Sequence, residues 1–325
     1  MIEQQSGEQI AGAVPAQVAG EAGILAERAL DLSRLRTRAK LRPYERNFLW
    51  ISRVIIWVAV VLTLTPVVLV LLASFNPGSA FFSTSILPSS FSWEHYQNVL
   101  DPSKNDFLIW LRNSAIVCIC TGILSVLLVA STAYAFSRFR FYGRKYGLMA
   151  MLLIQMFPAQ MAFVALFYLL LRLGQWTHGA IGLNTFQGLI LVFLGGGIPF
   201  NAWLFKGYID GLPRDLQESA YVDGATRFQA FWKVILPLTR PMMAVIFIFQ
   251  VIGIYNDFIL VNFLVSDSSH YTMAVGLQTF VSGDFTSNWA DFAAGALLAS
   301  IPILALFMVA QRWLVSGLAA GAVKG

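Results

Sequence analysis

Histidine and cysteine are the side chains of this 325-residue chain that most readily take part in acid–base, metal or thiol chemistry. His95, His178 and His270 are scattered and show no HExxH or similar spacing. Cys118 and Cys120 lie two residues apart, so their side chains diverge on a helix, which favours apolar packing over a disulfide or metal site. The sequence therefore predicts no metal site and no catalytic centre.

The motif that binds nucleotide phosphates is also missing from the sequence. No GxxxxGK[ST] segment occurs, and no glycine is followed directly by lysine. A P-loop needs both the glycine-rich backbone and that lysine to hold the phosphates. We therefore expect this chain itself to hold no ATP and no other cofactor.

A second set of polar residues lies within otherwise apolar stretches. Asp257 is the only acid in the apolar stretch 241–266, and an ionisable group inside a bilayer is costly and usually faces a cavity. The amides of this set are Gln155, Gln160, Asn201, Asn256 and Asn262. Each of the six favours either a polar path or a hydrogen bond between helices, and the sequence leaves both interpretations open.

The apolar stretches themselves define an all-α membrane protein. Hydrophobic residues make up 57% of the chain and charged residues only 12%, outside the usual range of water-soluble domains. A spanning helix needs roughly 20 apolar residues. Six stretches qualify, so the termini lie on the same side: 54–75, 113–137, 146–171, about 186–206, 241–266 and 292–311. The fourth is the later part of the uncharged stretch 173–205, whose start is predicted to be an external loop.

The distribution of positive charge predicts which side holds the termini. Of the 22 lysines and arginines, 19 lie before the first span, in the loops 138–145 and 206–240, or at the C-terminal end. Positive residues accumulate on the cytoplasmic side, so both termini and the loop 207–240 are predicted to be cytoplasmic. This topology accounts for the net charge of +5 and removes the case for a nucleic-acid partner.

Two domains follow from this pattern, a basic cytoplasmic segment over 1–49 and a transmembrane domain over 50–325. Residues 1–23 have little to bury and are predicted to be disordered. Residues 24–46 alternate leucine with arginine, which fits either a basic helix on the inner leaflet or an extended charge run.

The cytoplasmic loop 207–240 contains the segment ESAYVDGATRFQAFWKVILP, residues 218–237. Acidic residues after Pro213 predict the first turn of a short helix that ends near Val222. The Asp223-Gly224 pair predicts a break, because glycine readily takes the left-handed conformation that closes a helix. A second helix is predicted from Ala225 to about 235, with a turn at Leu236-Pro237 into the span that Pro241 opens.

This predicted helical hairpin carries more apolar side chains than a free cytoplasmic loop needs. They are Tyr221, Val222, Phe228, Phe231 and Trp232. Some of them are expected to pack on the chain's own spans, and the rest to form a face that docks into a groove of another protein.

The hairpin resembles the EAA loop of the permease subunits of binding-protein-dependent ABC importers. The loop has the pattern E-[AS]-A-x-x-D-G-A followed by a hydrophobic pair and L-P. The positions that match are Glu218, Ser219, Ala220, Asp223, Gly224, Ala225, Phe231, Leu236 and Pro237. The resemblance implies that these residues couple the chain to ATPase subunits.

The rest of the transmembrane domain resembles the sugar permeases of the maltose and maltodextrin (MalG) type. The similar stretches are QMFP at 155–158, IGLNT at 181–185, YTMAVG at 271–276, DFAA at 291–294 and the tail 311–325. The resemblance implies a type I importer fold in the prokaryotic inner membrane. It also implies a second, different permease subunit, two ATPase subunits that bind ATP and Mg²⁺, and an external solute-binding protein.

Three functions stay open at this point. The resemblance implies that the six intramembrane polar residues lie along a path for maltodextrin, and that the tail 314–325 reaches the ATPase subunits. Another carbohydrate, such as trehalose, fits the same spans equally well. An ion-coupled carrier is the alternative from a different class, but it is expected to show repeated halves and several paired intramembrane charges.

Overall fold

The computed structural model describes residues 43–78, 90–282 and 288–322, and every regular element in these ranges is helical. The first half contains α1 Pro43–Ser74, α2 Glu94–Leu100, α3 Phe107–Arg138, α4 Arg144–Gln155, α5 Phe163–Trp176 and α6 Phe186–Asp210. The second half contains α7 Asp215–Val222, α8 Arg227–Leu238, α9 Arg240–Tyr255, α10 Ile259–Leu264, α11 Met273–Gln278 and α12 Trp289–Ala322.

The helices confirm an all-α membrane architecture with five or six candidate spans among the described residues. Five stretches of the described residues are long and apolar enough to span a bilayer, namely Asn47–Ser74, Phe107–Arg138, Ala159–Trp176, Phe186–Asp210 and Trp289–Gln311. Helix α9 is the sixth candidate: it passes the same test only together with α8, from which it is bent by 75°.

The third span differs most from its prediction, and a proline explains the difference. The sequence predicts one span over 146–171, whereas the structure ends α4 at Gln155 and resumes helically at Ala159. Pro158 lies in the gap, has no backbone N–H to continue the helix and disfavours a helical conformation of the residue before it. The spanning helix is therefore Ala159–Trp176, and α4 is a separate element.

The fifth span is shorter than the predicted stretch 241–266. Helix α9 ends at Tyr255, and Asn256 forms its C-cap. The side chain of Asp257 then accepts a hydrogen bond from the Leu260 N–H at 3.0 Å, within the first turn of α10. Asp257 thus lies at a break between two helices, where its carboxylate satisfies a backbone donor that a continuous helix would have bonded itself.

The N-terminal and C-terminal predictions fall mostly on residues outside the described ranges. These include the disordered segment 1–23 and most of the basic segment 24–46, whereas residues 43–49 already belong to α1. The chain divides into two compact units, Met1–Pro66 and Val67–Gly325. The backbone of α12 extends to Ala322, but the tail side chains over 314–325 lie outside the described part.

The core of the larger unit forms where α3 packs against α6 and α9. Helix α9 also packs against α12, and α2 lies against the start of α12. Small side chains in α3, among them Ala130 and Ala133, are fully buried beside Phe205 of α6. Small residues let helix backbones approach closely in a membrane, so this seam fixes the cytoplasmic half of the bundle.

Candidate functional site

The first helix of the cytoplasmic hairpin, α7, closes as the sequence predicts. Gly224 has a φ of +83°, in the left-handed region. Its N–H donates to the Tyr221 carbonyl at 3.0 Å, and the Ala225 N–H donates to the Ala220 carbonyl at 2.9 Å. These two bonds form a Schellman motif, with Asp223 as the C-cap. The motif therefore explains why the segment needs glycine at position 224.

The second helix, α8, starts two residues later than the predicted Ala225. Thr226 is its N-cap, and its hydroxyl accepts a hydrogen bond from the Gln229 N–H at 3.2 Å. The Gln229 side chain in turn accepts from the Thr226 N–H at 2.9 Å, which completes a capping box. The T-x-x-Q spacing is visible in the sequence and would have located this start.

Tyr134 of α3 holds both helices of the hairpin against the bundle. The Gln217 amide donates to the Tyr134 hydroxyl at 2.8 Å. The Phe231 ring lies 4.8 Å from the Tyr134 ring, centroid to centroid. Phe231 is only 7% exposed, so it is one of the hairpin's apolar residues that pack on the chain's own spans. It belongs to the core that fixes the hairpin's orientation.

The remaining apolar residues of the hairpin do form an exposed face. Val222 is 88% exposed and Phe228 is 70% exposed. Tyr221 and Trp232 are also exposed, and the rings of Phe228 and Trp232 lie 5.9 Å apart. Gln217 anchors α7 and Phe231 anchors α8 to Tyr134 of the bundle, which leaves these apolar side chains on the outer side of the hairpin.

Other positions of the loop motif fall into two groups. Glu218 and Ser219 are exposed, whereas Ala220 and Ala225 are half-buried where the two short helices meet. Small side chains at these two positions allow that close approach.

The bend into the fifth span does not lie at Leu236-Pro237 as predicted. Both residues continue α8, and the 75° change of direction comes at Thr239. Thr239 is fully buried, and its hydroxyl donates to the Leu236 carbonyl at 3.0 Å. Pro241 has no N–H for the carbonyl four residues earlier, so the helical hydrogen-bond ladder is interrupted at this point.

A cavity of about 700 Å³ lies between α4, α5, α6 and α9 in the membrane domain. Its lining is mostly apolar, with polar groups from Gln155, Gln250 and Asp257 and backbone from Gly195–197. A largely apolar cavity with a few placed polar groups is typical of small-molecule sites. Within the described ranges, no three His, Cys, Asp or Glu side chains come together as a metal site.

The structure brings only some of the six predicted polar residues to this cavity. Gln155 lines it and donates to the Gly196 carbonyl at 2.8 Å, and Asp257 lines it near the break after α9. Asn201 does not line the cavity itself, but its side-chain amide donates to the carbonyl of Gly197, which does, at 2.9 Å. The other three, Gln160, Asn256 and Asn262, are exposed and do not line the cavity.

Gln250 is a cavity residue that the sequence does not single out. It is the one amide in the middle of the apolar stretch of α9, and its Oε1 lies 3.4 Å from the Asn201 amide nitrogen. A Cβ atom at Gly197 would lie 2.7 Å from the Gln250 amide, so a side chain at this position would displace that amide. The sequence signal that could have identified Gln250 is an isolated amide inside an apolar stretch.

Residues 122–319, which include the hairpin and most of the helices that line the cavity, match the family described as binding-protein-dependent transport system inner membrane component. The chain belongs to this family. The match covers more than half of the sequence, and the bundle has the apolar helices that an inner-membrane, multi-pass protein needs.

Named relatives extend the match over most of the permease. This chain is 41% identical over 289 residues to the maltose/maltodextrin transport system permease protein MalG of Vibrio vulnificus (strain YJ016). The alignment covers 85% of this chain and 96% of the relative. The chain is also 41% identical over 287 residues to the galactooligosaccharides transport system permease protein GanQ of Bacillus subtilis (strain 168), with 88% and 98% covered.

A solved structure supports the fold. The permease is similar to a chain in the crystal structure of a bacterial ABC transporter involved in the import of the acidic polysaccharide alginate. The TM-score is 0.69 at 22% identity, and the similarity covers 85% of this chain and 99% of the other. At this level of identity the comparison confirms the type I importer fold of the transmembrane domain.

Proposed function

We propose that this permease forms half of the membrane path of an ATP-driven importer for maltodextrin or a related oligosaccharide. The relatives are named for maltose, maltodextrin and galactooligosaccharide transport. The cavity between α4, α5, α6 and α9 supports the proposal, because amide and carboxylate groups suit the hydroxyls of a sugar and apolar walls suit its ring faces.

The other components of this importer are proposed to be separate chains. They are a second, different permease, two ATPase subunits and an extracytoplasmic solute-binding protein. ATP and Mg²⁺ are bound by the ATPase subunits, and this chain is a non-catalytic subunit. The absence of a P-loop from its sequence supports this division of labour.

The observation that carries the proposal is the exposed apolar face of α7 and α8 on a hairpin anchored to the core. ATPase subunits that grip this face and close on ATP would move the hairpin as one body with Tyr134 and Phe231. The buried bend at Thr239 would pass that motion to α9, which carries Gln250 and Gly253 in the cavity wall. A rigid-body shift of α9 would then open the cavity to alternate sides of the membrane.

The decisive experiment uses the complex assembled with its binding protein and ATPase subunits in lipid nanodiscs. Maltose, maltodextrin, galactooligosaccharide and trehalose are each loaded on the binding protein, and ATP hydrolysis is measured. We expect one oligosaccharide class to stimulate hydrolysis. Concentrative uptake by this chain alone, driven by a proton or sodium gradient without nucleotide, would establish the carrier alternative instead.

Gln250→Leu tests the proposed path. The substitution keeps the volume similar but removes the amide, so a buried sugar hydroxyl loses its partner at a cost of about 1–2 kcal/mol. We expect the KM for uptake to rise about tenfold while the complex assembles normally. Asn262→Leu, outside the cavity, is the matched control and should leave the KM unchanged. An unchanged KM in Gln250→Leu would remove this cavity from the path.

Phe228→Ala tests the docking face. Truncating a well-packed aromatic side chain at an interface typically costs about 1 kcal/mol or more. We expect association with the ATPase subunits to weaken roughly fivefold, measured by titrating detached ATPase subunits onto the permease pair. Tyr142→Ala removes a still more exposed aromatic side chain from another cytoplasmic loop and should have no effect. Equal loss in both variants would argue against a specific face.

A further inference from the structure

A second cavity, of about 530 Å³, opens at the cytoplasmic end of α3 beside α7. Four arginines line it, namely Arg138, Arg140, Arg214 and Arg227, against the single acid Glu218. Its volume lies in the range of about 300–1,000 Å³ that is typical of small-ligand sites. The excess of guanidinium groups over carboxylates favours an anionic ligand.

Two of these arginines are held in place by contacts within the chain. Arg138 donates from Nη2 to the carbonyls of Ile209 at 3.0 Å and Leu212 at 2.9 Å. The guanidinium of Arg227 lies over the Phe139 ring, 5.6 Å from its centroid. An arginine fixed in this way loses less side-chain freedom when it binds a ligand, so the cavity is preorganised.

Buried polar atoms without partners point to the ligand's hydrogen-bonding character. The Nε of Arg138 is a buried donor that makes no hydrogen bond to the protein. Gln217 is 7% exposed, donates to the hydroxyls of Tyr134 and Tyr221, and leaves its Oε1 without a partner. A buried polar atom without a partner is destabilising, because it has lost its hydrogen bonds to water and gained none in the protein. A ligand that both accepts from Arg138 and donates to Gln217 would satisfy both atoms.

We propose that this cavity binds a phosphate group that carries a hydroxyl. The phosphate oxygens accept from Arg138, Arg214 and Arg227, and the hydroxyl donates to Gln217. Arginine matches the geometry of phosphate oxygens with paired N–H donors. The site adds to the proposed transport function and does not depend on it.

Two sources supply this chemistry, the headgroup of phosphatidylglycerol in the inner leaflet and hydrogenphosphate in the cytoplasm. The cavity lies at the cytoplasmic end of a span, next to the exposed rings of Phe141 and Tyr142. Aromatic and basic residues together are typical of the membrane interface. Because Glu218 and Gln217 belong to α7, the bound group would brace the hairpin from its membrane side.

The test uses the full chain purified in a neutral detergent at constant ionic strength. Its thermal unfolding midpoint is followed during titration with inorganic phosphate, short-chain phosphatidylglycerol and short-chain phosphatidylcholine. We expect phosphatidylglycerol or phosphate to raise the midpoint, and phosphatidylcholine to have no effect. Protection by phosphatidylglycerol alone identifies the lipid, and equal protection by inorganic phosphate identifies the free anion.

Variants assign the effect to this cavity. The double variant Arg214→Gln, Arg227→Gln should lower the affinity for the protecting probe at least tenfold. Arg240→Gln changes an exposed arginine outside the cavity and should leave that affinity unchanged. Gln217→Glu keeps the side chain's size but adds a negative charge, and should also lower the affinity for the probe about tenfold. It serves as the test if the double variant fails to fold.

Three outcomes would overturn the proposal. The first is protection by no probe, and the second is protection that persists in both the double variant and Gln217→Glu. The third is a double variant that keeps full probe binding but no longer associates with the ATPase subunits, because the arginines then contact acidic groups of that partner. Sugar-stimulated ATP hydrolysis is measured separately, so failure of this site leaves the transport proposal intact.

Discussion

Gly224→Val should reduce sugar-stimulated ATP hydrolysis and uptake by tenfold or more while leaving the chain inserted in the membrane. Gly224 has a φ of +83°, and a β-branched residue forced into this region costs on the order of 1–3 kcal/mol. The hairpin would relieve that strain by giving up the bonds from Gly224 and Ala225 that close α7. Val222 and Phe228 would then no longer present one face.

A second variant separates the effect of backbone conformation at position 224 from the effect of adding a side chain there. No atom lies within 4 Å of a Cβ placed at Gly224, so a side chain there meets no steric obstacle. Gly224→Asn adds a side chain of similar size that tolerates the left-handed conformation, and it should retain most of the stimulation. Membrane insertion of both variants is checked by expression and gel filtration. Equal loss in the two variants would show that the face itself, and not its geometry, is sensitive to substitution.

Local signals in the sequence predicted the hairpin well. The Asp223-Gly224 pair placed the break correctly, because the left-handed position at a helix end is decided by residues within one turn. The start of α8 depended on an equally local signal, the capping box of Thr226 and Gln229. The location of the bend required more, because Pro237 and Pro241 both lack the N–H that continues a helix, yet Pro237 continues α8 and the chain turns at the buried Thr239 between them.

Whether an apolar residue of the hairpin points into the bundle or out to solvent was harder to predict, because this depends on helices distant in the sequence. Phe228, Phe231 and Trp232 share one apolar pattern, yet only Phe231 meets Tyr134, almost a hundred residues earlier in the chain. The same limit applies to the cavity. Asp257 stands out in the sequence as a charge and lines the cavity, whereas the close approach of Gln250 to Gly197 on another helix is a tertiary contact that the sequence does not reveal.

The buried pair of His95 and Asp291 carries the largest expected effect on stability. The His95 Nδ1 lies 2.6 Å from the Asp291 Oδ1, and its Nε2 lies 3.0 Å from the Asn76 carbonyl. The second carboxylate oxygen of Asp291 accepts from the Asn288 amide at 2.6 Å. This network joins the chain after α1, helix α2 and the start of α12, and both members of the pair are buried.

Asp291→Leu should therefore destabilise the fold by about 3–5 kcal/mol, because it leaves the buried imidazole facing an apolar side chain. The measurement is the free energy of unfolding of the full chain in detergent, from denaturant titration. His95→Leu alone should cost a similar amount, since it leaves the Asp291 carboxylate without that partner.

The double variant His95→Leu, Asp291→Leu decides whether the cost belongs to the pair. Replacing a buried pair by apolar residues is often close to neutral, because no unpaired polar group remains to be desolvated. We expect the double variant to recover at least about 2 kcal/mol relative to the sum of the single variants, which a double-mutant cycle measures as coupling. Strictly additive losses would show that the two side chains contribute by packing alone, so that α2 would be held to α12 by apolar contacts such as those of Val99.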